Sequence, residues 1–250
     1  MADALTPEAV EPLLRGRFGR PYVYHETCES TQRLLDTSLG EGAVAVCDEQ
    51  LSGRGRLGRA WHAPRGTAVL CSLLLVPPAE RRISELSLVA GIAVAETVEA
   101  ATTLVAGIKW PNDVLVDGAK VAGVLAEVAD GTVVLGIGLN VNQSRDQLPV
   151  NTQLPAGSLL AADGVRRERA PLLADLLARL ENTYSRWLAE GLDALHGELA
   201  ARDVLRGQRV IVDGEPGTGI GIDRRGRLEV ELAGERRPVE SGEVLVAADQ

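Results

Sequence analysis

The stretch KWPNDVLVDGAK, residues 109–120, decides the fold because a short apolar strand is followed directly by a tight turn. Val114–Val116 predicts the strand, and Asp117-Gly118 is a strong signal for a two-residue hairpin. A return strand, a second turn and a third strand are predicted at 120–128, Asp130-Gly131 and 132–142. This part of the chain therefore predicts an antiparallel meander.

The faces of this meander carry the first functional signal. Side chains alternate between faces along a strand, so Gly136, Gly138 and Asn140 share one face of the third strand. Glycine inside a strand weakens it and is typical of places where another group approaches the backbone closely. Lys120 directly follows the hairpin turn, on the strand that pairs with the glycine-bearing one. We therefore expect a ligand site on this face.

Outward from the meander, the loop GRGRLGR at 53–59, closed by Trp61, lies between two predicted buried strands at 42–47 and 68–76. Its three arginines contrast with the net charge of −9. Glycine allows close approach of backbone N–H groups to a ligand, and arginine binds phosphate or carboxylate oxygens in pairs. We expect this loop to bind an anion, to be mobile when empty and to become ordered on the ligand.

The remaining segments define the architecture. Helices are predicted at 84–101 and 171–191, and Ser30-Thr31-Gln32 caps a predicted helix while offering hydroxyl and amide groups to a ligand. Short strands separated by turns begin at residue 205, which predicts a small β-barrel. The fold class is therefore α+β: a mixed, largely antiparallel sheet flanked by helices over 1–204, followed by a barrel domain over 205–250.

Composition restricts the function. The acidic balance argues against nucleic-acid binding, and the sequence has no apolar run long enough to cross a membrane. Three widely spaced cysteines, at positions 28, 47 and 71, indicate reduced thiols and a cytoplasmic location. There is no metal-ligand cluster, catalytic triad or common phosphate-binding motif. Fixed positive charge suits a reaction that builds charge on phosphate, such as adenylation of a carboxylate.

Four blocks of this sequence resemble the signature blocks of biotin–protein ligases, in order and spacing. They are Gly53–Trp61, Lys109–Asp113, Lys120 with Ala122-Gly123, and Gly136–Asn140. The resemblance implies a short form without the N-terminal DNA-binding domain, with a class II synthetase-like core and a C-terminal SH3-like barrel. It also implies that ATP, with Mg²⁺, activates biotin to biotinyl-5′-AMP. Biotin then passes to a lysine on the biotin carrier domain of acetyl-CoA carboxylase or a related acyl-CoA carboxylase.

The same resemblance assigns the site residues. Those implied to bind biotin are Ser30, Thr31, Gln32, Gln50, Gly53, Arg54, Gly55, Arg56, Lys120, Gly123, Gly136 and Gly138. Those implied to bind the nucleotide are Arg54, Arg56, Arg59, Trp61, Asn112, Lys120 and Asn140. Lys120, Arg56 and Asp113 are implied to be catalytic, with Asp113 orienting or deprotonating the acceptor lysine. Gln32 departs from the asparagine usual in the family.

Several alternatives stay open. A lipoate or octanoate ligase of the same fold, or a non-catalytic binder of biotin or its adenylate, fits part of the pattern. The C-terminal barrel could be an interaction module. Lys109 and Asp113 could form a surface ion pair, and Trp110 is interpreted as a core aromatic residue. We expect a monomer or a weak homodimer, with the strand at 132–142 as a hypothetical exposed edge for strand addition.

Overall fold

The computed structural model describes residues 3–129, 131–150 and 152–247. Its larger sheet consists of β1 Tyr22–Cys28, β2 Val44–Gln50, β3 Ala68–Leu75, β4 Ala106–Lys109, β5 Asp113–Val116, β6 Ala119–Ala129 and β7 Thr132–Asn140. The spatial order is β1-β2-β3-β7-β6-β5-β4. Only β1 and β2 run parallel to each other among these neighbours. The sheet is mixed and largely antiparallel, which confirms the predicted fold class.

Two helices cover one face of this sheet. The α-helices of the described residues are α1 Pro7–Val10, α2 Leu86–Ala101, α3 Leu159–Asp163, α4 Arg169–Glu190 and α5 His196–Arg202. Short 3-10 helices lie at Glu11–Leu13, Thr31–Leu34, Thr37–Leu39, Arg56–Gly58, Ile83–Glu85, Arg145–Gln147 and Leu192–Leu195. Helix α2 packs between α4 and the sheet, and it is buried on nearly all sides, which explains its continuous apolar sequence.

The meander has the predicted antiparallel pairing. Strand β5 pairs with β6, and β6 pairs with β7. Asp117 and Gly118 have φ values of 49° and 76°, the left-handed backbone that a two-residue hairpin turn requires. Of the second predicted turn, Asp130 lies outside the described residues, and Gly131 has a φ of 77°.

Strand β7 is not an edge strand, so the hypothesis of strand addition along 132–142 is wrong. It pairs with β6 on one side and with β3 on the other, where Gly138 lies opposite Leu70. The physical reason is that β3 is buried along its whole length and needs hydrogen-bonding neighbours on both sides. The edges of the large sheet are β1 and β4.

The predicted helix after Ser30 is also wrong. Two 3-10 helices occupy this segment, and Leu35 between them has extended backbone. The side chain of Asp36 accepts a hydrogen bond from the backbone N–H of Ser38, so a side-chain acceptor starts the second turn. Local side-chain bonds of this kind compete with a continuous helix.

The C-terminal residues form a second, five-stranded antiparallel sheet. Its strands are β8 Arg209–Val212, β9 Glu215–Ile222, β10 Leu228–Leu232, β11 Glu235–Val239 and β12 Val244–Val246. They are arranged in the order β11-β10-β9-β8-β12, which is compatible with a small SH3-like domain. The domain boundary between residues 204 and 205 stays a prediction. Over the described part of the chain, no helix is long and apolar enough to traverse a bilayer.

Candidate active site

A cavity of about 1000 Å³ lies on the side of the large sheet that faces away from the main core. Gly136 and Gly138 of β7 line it, whereas the alternating residues Leu135 and Leu139 belong to the core that contains α2 and α4. Alternation along one strand thus separates the packing face from the cavity face.

The cavity brings together all but one of the predicted site residues. Its lining includes Ser30, Thr31, Gln32, Gln50, Arg54, Gly55, Arg56, Arg59, Trp61, Asn112, Asp113, Lys120, Gly123, Gly136, Gly138 and Asn140. Gly53 is the exception. Its backbone packs against that of Trp61, where an added Cβ would come 2.3 Å from the carbonyl oxygen.

One end of the cavity is neutral and closely hydrogen-bonded. The backbone N–H of Thr31 donates to Gln50 Oε1 at 2.8 Å, and the hydroxyls of Thr31 and Ser72 lie 2.7 Å apart. Gln32 is buried and its Nε2 donates to the carbonyl oxygen of Leu125 at 3.2 Å. We name Ser30, Thr31, Gln32 and Gln50, which line the cavity, the neutral end. Its amide and hydroxyl groups can read donors and acceptors of a ligand without a net charge.

The glycine–arginine loop lines another part of the cavity, which we name the arginine end, and it is folded back on itself. Trp61 N donates to the carbonyl oxygen of Gly53 at 2.9 Å, and Gly55 N donates to that of Arg59 at 2.7 Å. Leu57 at its tip has a φ of 58°, which is uncommon for a residue with a side chain. Whether the loop is mobile without a ligand stays a prediction.

The arginines of this loop contact groups from distant parts of the chain. Arg56 donates to Asn112 Oδ1 at 3.3 Å and to the carbonyl oxygen of Gly242 at 3.2 Å. Arg59 forms an ion pair with Glu243. The guanidinium of Arg56 is partly removed from water, and this burial lowers its pKa from the ordinary value.

Lys120 forms the charged centre of the cavity. Its Nζ lies 2.7 Å from Asp113 Oδ1 and 5.5 Å from the ring centroid of Trp61. The alternative pairing of Lys109 with Asp113 is not observed, because Lys109 Nζ instead donates to the carbonyl oxygen of Val244 at 2.7 Å. Lys109 is buried, and desolvation lowers its pKa from the ordinary value.

Protein side chains fill the space above the strand glycines. A Cβ at Gly138 would come 2.5 Å from the Trp61 ring, and one at Gly136 would come 3.2 Å from the amide nitrogen of Gln32. The resemblance to biotin–protein ligases implied that biotin binds at Gly136 and Gly138. In the structure, the absence of side chains at the two glycines leaves room for Trp61 and Gln32 to pack against β7. Both side chains line the cavity, so both can contact a ligand.

Comparison with known proteins identifies the family of this chain. Residues 24–144 match the biotin/lipoate A/B protein ligase family. The chain is 36% identical over 215 residues to the biotin–[acetyl-CoA-carboxylase] ligase of Mycobacterium tuberculosis, covering 82% of this chain and 79% of that protein.

The chain belongs to the biotin/lipoate A/B protein ligase family.

Two further relatives define the extent of the likeness. The bifunctional ligase/repressor BirA of Bacillus subtilis is 35% identical over 183 residues, which is 69% of this chain and 56% of BirA. This member of the ligase family thus spans little more than half the length of that relative. The biotin protein ligase from Aquifex aeolicus, solved in complex with biotin and ATP, is 28% identical with a TM-score of 0.82. That likeness covers 91% of this chain and 98% of the other.

Both asparagines predicted to bind the nucleotide are hydrogen-bonded within the protein. Asn140 Nδ2 donates to the carbonyl oxygen of Gly157 at 2.8 Å, and its Oδ1 accepts from Gln143 Nε2 at 2.8 Å. Asn112 Nδ2 donates to the carbonyl oxygen of Val124 at 2.9 Å. In this ligase-family chain they therefore hold the walls of the cavity in place.

The C-terminal residues also contribute to the cavity, although they were not among the predicted site residues. Gly242, Glu243 and Val244 line the cavity and meet the arginine loop and Lys109. Hydrogen bonds from Gln153 and Arg59 lower the pKa of Glu243 from its ordinary value. No local pattern marks these residues, because their position depends on how the second sheet packs. Ser72 does not line the cavity, but its hydroxyl contacts that of Thr31, and a single polar residue in an apolar strand was a usable signal of this support.

Proposed function

We propose that this chain joins biotin to ATP, releasing pyrophosphate, and then transfers the biotinyl group to a lysine of a biotin carrier domain. The observation that carries the proposal is the position of Lys120. It contacts Asp113 and the ring of Trp61 inside a cavity with one neutral, hydrogen-bonding end and one end rich in arginine. The Aquifex ligase, solved with biotin and ATP, supports the assignment of both ligands.

The neutral end suits the ureido group of biotin. A ureido group presents two N–H donors and one carbonyl acceptor, and Thr31, Gln50 and Ser30 offer hydroxyl and amide partners of both kinds. A dithiolane ring or an alkyl chain would offer these polar groups no hydrogen-bond partner. A site built to hydrogen-bond its substrate strongly rejects an analogue that lacks the matching groups.

Lys120 would act in the first step. A carboxylate oxygen of biotin attacks the α-phosphorus of ATP, the new P–O bond forms, and the bond to pyrophosphate breaks. Negative charge builds on the phosphoryl oxygens during this exchange. A fixed ammonium group in a half-buried position stabilises that charge.

The arginine loop would hold the leaving phosphates. Arg56 and Arg59 lie at the cavity wall, and Trp61 closes the loop against the strand glycines. Closure over the adenylate would keep water from hydrolysing it. Mg²⁺ would enter the site bound to the phosphates of ATP. The described residues contain no group of three or more His, Cys, Asp or Glu that could hold a metal ion, and no step here depends on one.

Asp113 would act in the transfer step. The amine of the acceptor lysine attacks the acyl carbon of biotinyl-AMP, the amide bond forms, and AMP leaves. The ammonium group of the acceptor lysine must lose a proton before it attacks. The Asp113 carboxylate, held by Lys120, is the group at the reacting centre that would accept this proton. Lys120 again stabilises charge, this time on the departing AMP.

The test is pyrophosphate release from ATP on addition of biotin, lipoate or octanoate, for the wild type and for Lys120→Ala. We expect pyrophosphate release with biotin but not with lipoate or octanoate. In the Lys120→Ala variant, kcat should fall by about 10²-fold to 10³-fold. Lys120→Arg, which keeps the charge, is the matched control and should retain more activity than the alanine variant. Release with lipoate or octanoate but not with biotin would contradict the assignment of biotin as the substrate and leave the assignment of the fold unchanged.

A non-catalytic binder would behave differently. It would bind biotin in equilibrium dialysis without releasing pyrophosphate.

The acceptor is proposed to be the carrier domain of acetyl-CoA carboxylase or a related carboxylase, by analogy with the Mycobacterium relative. Transfer of biotin to a purified carrier domain tests this. We further propose a cytoplasmic monomer or weak homodimer that does not bind nucleic acid.

A further inference from the structure

A small apolar cluster beside the cavity contains two thiols in contact. Cys28 and Cys47 have their Sγ atoms 3.0 Å apart, and both residues are buried. Cys28 is the last residue of β1, and Cys47 lies on β2. Cys71 is buried separately, in the main core. The reaction proposed above uses none of these thiols.

We propose that Cys28 and Cys47 form a site of reversible oxidation, at which a hydroperoxide converts the two thiols into one disulfide. The Cys28 thiolate attacks one peroxide oxygen, which breaks the O–O bond and leaves Cys28 as a sulfenic acid, with the other oxygen released as hydroxide. The Cys47 sulfur then attacks the Cys28 sulfur. The S–S bond forms, and the hydroxyl leaves as water with the Cys47 proton. A dithiol reductant reverses the reaction.

The geometry favours this order of events. Thiolates rather than thiols react with peroxide, and the hydrogen-bonded contact with Cys47 lowers the pKa of Cys28. The same pairing, together with burial, raises the pKa of Cys47, which therefore waits as the resolving thiol. Cys28 also ends an edge strand, so its backbone has a hydrogen-bonding neighbour strand on one side only. Closing 3.0 Å to a bond of about 2.05 Å requires a movement of about 1 Å.

Access to the pair depends on the arginine loop. Leu34 and Trp61 pack against the cluster that contains both thiols. Trp61 closes the loop, and Cys28 keeps 8% of its surface exposed. Displacement of Trp61 would uncover the cluster. A ligand that holds the loop closed should therefore slow oxidation.

The site lies next to the neutral end of the cavity. Cys28 precedes Ser30 by two residues, and Cys47 precedes Gln50 by three. The hydrogen bond from Thr31 N to Gln50 Oε1 thus connects the same two segments that the disulfide would join. A shift near 1 Å at a binding group lowers activity steeply, so we expect kcat/KM for biotin to fall by about tenfold on oxidation. This consequence alone rests on the proposed function.

The primary experiment needs no activity. The full chain is treated with hydrogen peroxide, free thiols are blocked with iodoacetamide after denaturation, and trypsin digestion is followed by mass spectrometry without reduction. Trypsin leaves the three cysteines on separate peptides, 18–33, 34–54 and 66–81. We expect a cross-link between 18–33 and 34–54 that disappears with dithiothreitol. Peptide 66–81 should be recovered with its thiol alkylated.

Variants give the matched controls. Cys28→Ala and Cys47→Ala should each abolish the cross-link, whereas Cys71→Ala should retain it. The proposal is overturned if wild-type protein yields 18–33 and 34–54 as alkylated thiols after peroxide. It is equally overturned if the cross-link involves 66–81, or forms only when peroxide is added to unfolded protein.

Pyrophosphate release then tests the coupling to the cavity. Oxidised wild type should show the tenfold fall, with recovery after reduction, and Cys28→Ala should be insensitive to peroxide. A disulfide with unchanged release would refute the coupling. If biotin gives no pyrophosphate in the reduced protein, the proposed function fails while the mass-spectrometric result stands, so the two failures are distinguishable.

Discussion

The two ends of the cavity differ in chemistry and in how the chain supports them. The neutral end consists of hydroxyl and amide groups at the 3-10 helix that begins at Thr31 and at Gln50 of β2, and Ser72 of β3 supports Thr31, with hydrogen bonds of 2.7–2.8 Å. The arginine end consists of a half-exposed loop, and its charged side chains meet Glu243 and Gly242 of the second sheet. The first is held by hydrogen bonds within the large sheet and its adjoining 3-10 helix, whereas the second also depends on contacts with the second sheet.

This difference indicates a division of tasks. A neutral, buried end that is already hydrogen-bonded can fix the position of one substrate at little conformational cost. A charged loop that depends on long-range contacts can change position when phosphates arrive and leave. Substitutions at the two ends should therefore affect different substrates.

The largest separate effect is expected at the neutral end. Thr31→Val keeps the shape of the side chain and removes the hydroxyl that lies 2.7 Å from that of Ser72. Loss of one partner in a buried hydrogen-bond set costs about 1–3 kcal/mol, so KM for biotin should rise by about 10-fold to 100-fold, with KM for ATP unchanged. Steady-state pyrophosphate release measures both constants. Thr37→Val, at an exposed position, is the control, and an equal rise in both constants would remove the distinction between the ends.

A smaller effect is expected where the second sheet meets the first. Lys109→Met removes the hydrogen bond to the carbonyl oxygen of Val244 and leaves the side chain similar in length. The segment that carries Glu243 should then detach from the arginine loop. We expect KM for ATP to rise by about tenfold while KM for biotin stays within twofold, consistent with the loss of one charged hydrogen bond. A rise confined to biotin would contradict this division.

Because of Lys109, the affinity for ATP, but not the affinity for biotin, should depend on pH. Desolvation lowers the pKa of Lys109 below its ordinary 10.5, so its positive charge is lost at a lower pH than that of an exposed lysine. Because the charged form favours phosphate, the affinity for ATP should fall as pH rises through that lowered pKa. Isothermal titration of ATP across alkaline pH would show the fall in wild type. In Lys109→Met the corresponding step should be absent.

The smallest effect is expected on the outer side of the loop. Arg54 pairs with Glu127 at 3.1 Å, with half of the arginine side chain exposed. Exposed pairs contribute little, about 0–1 kcal/mol, so Glu127→Gln should change either KM by less than about threefold. The assay at low and high salt should give the same ratio of variant to wild type. A larger change would mean that Arg54 depends on this pair for its position.

Local sequence signals predicted the meander and the composition of the cavity well. The Asp117-Gly118 turn and the strand glycines depend on backbone conformation and close contact, which single residue types reveal. The prediction of a helix after Ser30 was wrong because the side chain of Asp36 accepts a local hydrogen bond and starts a separate turn. The prediction that β7 lies at an edge was wrong because the neighbour of a strand in a sheet depends on distant segments.

The contribution of the second sheet could not be predicted for the same reason. Glu243 and Val244 reach the cavity through the way two sheets pack, and Trp110 connects them by donating from Nε1 to the carbonyl oxygen of Gly226 at 2.9 Å. The buried Trp110 was expected to be a core aromatic residue, and it is. Its hydrogen bond across the two sheets was not foreseen.

The chain has only two lysines, Lys109 and Lys120, and both line the cavity. One is held by a backbone carbonyl oxygen and the other by Asp113. All other basic residues apart from histidine are arginines, whose guanidinium groups are always protonated and are poor nucleophiles. An activated acyl group that escaped from the cavity would therefore meet no lysine amine on the outer surface of its own protein. From the placement of these two residues, we expect the outer surface of the chain to resist self-acylation.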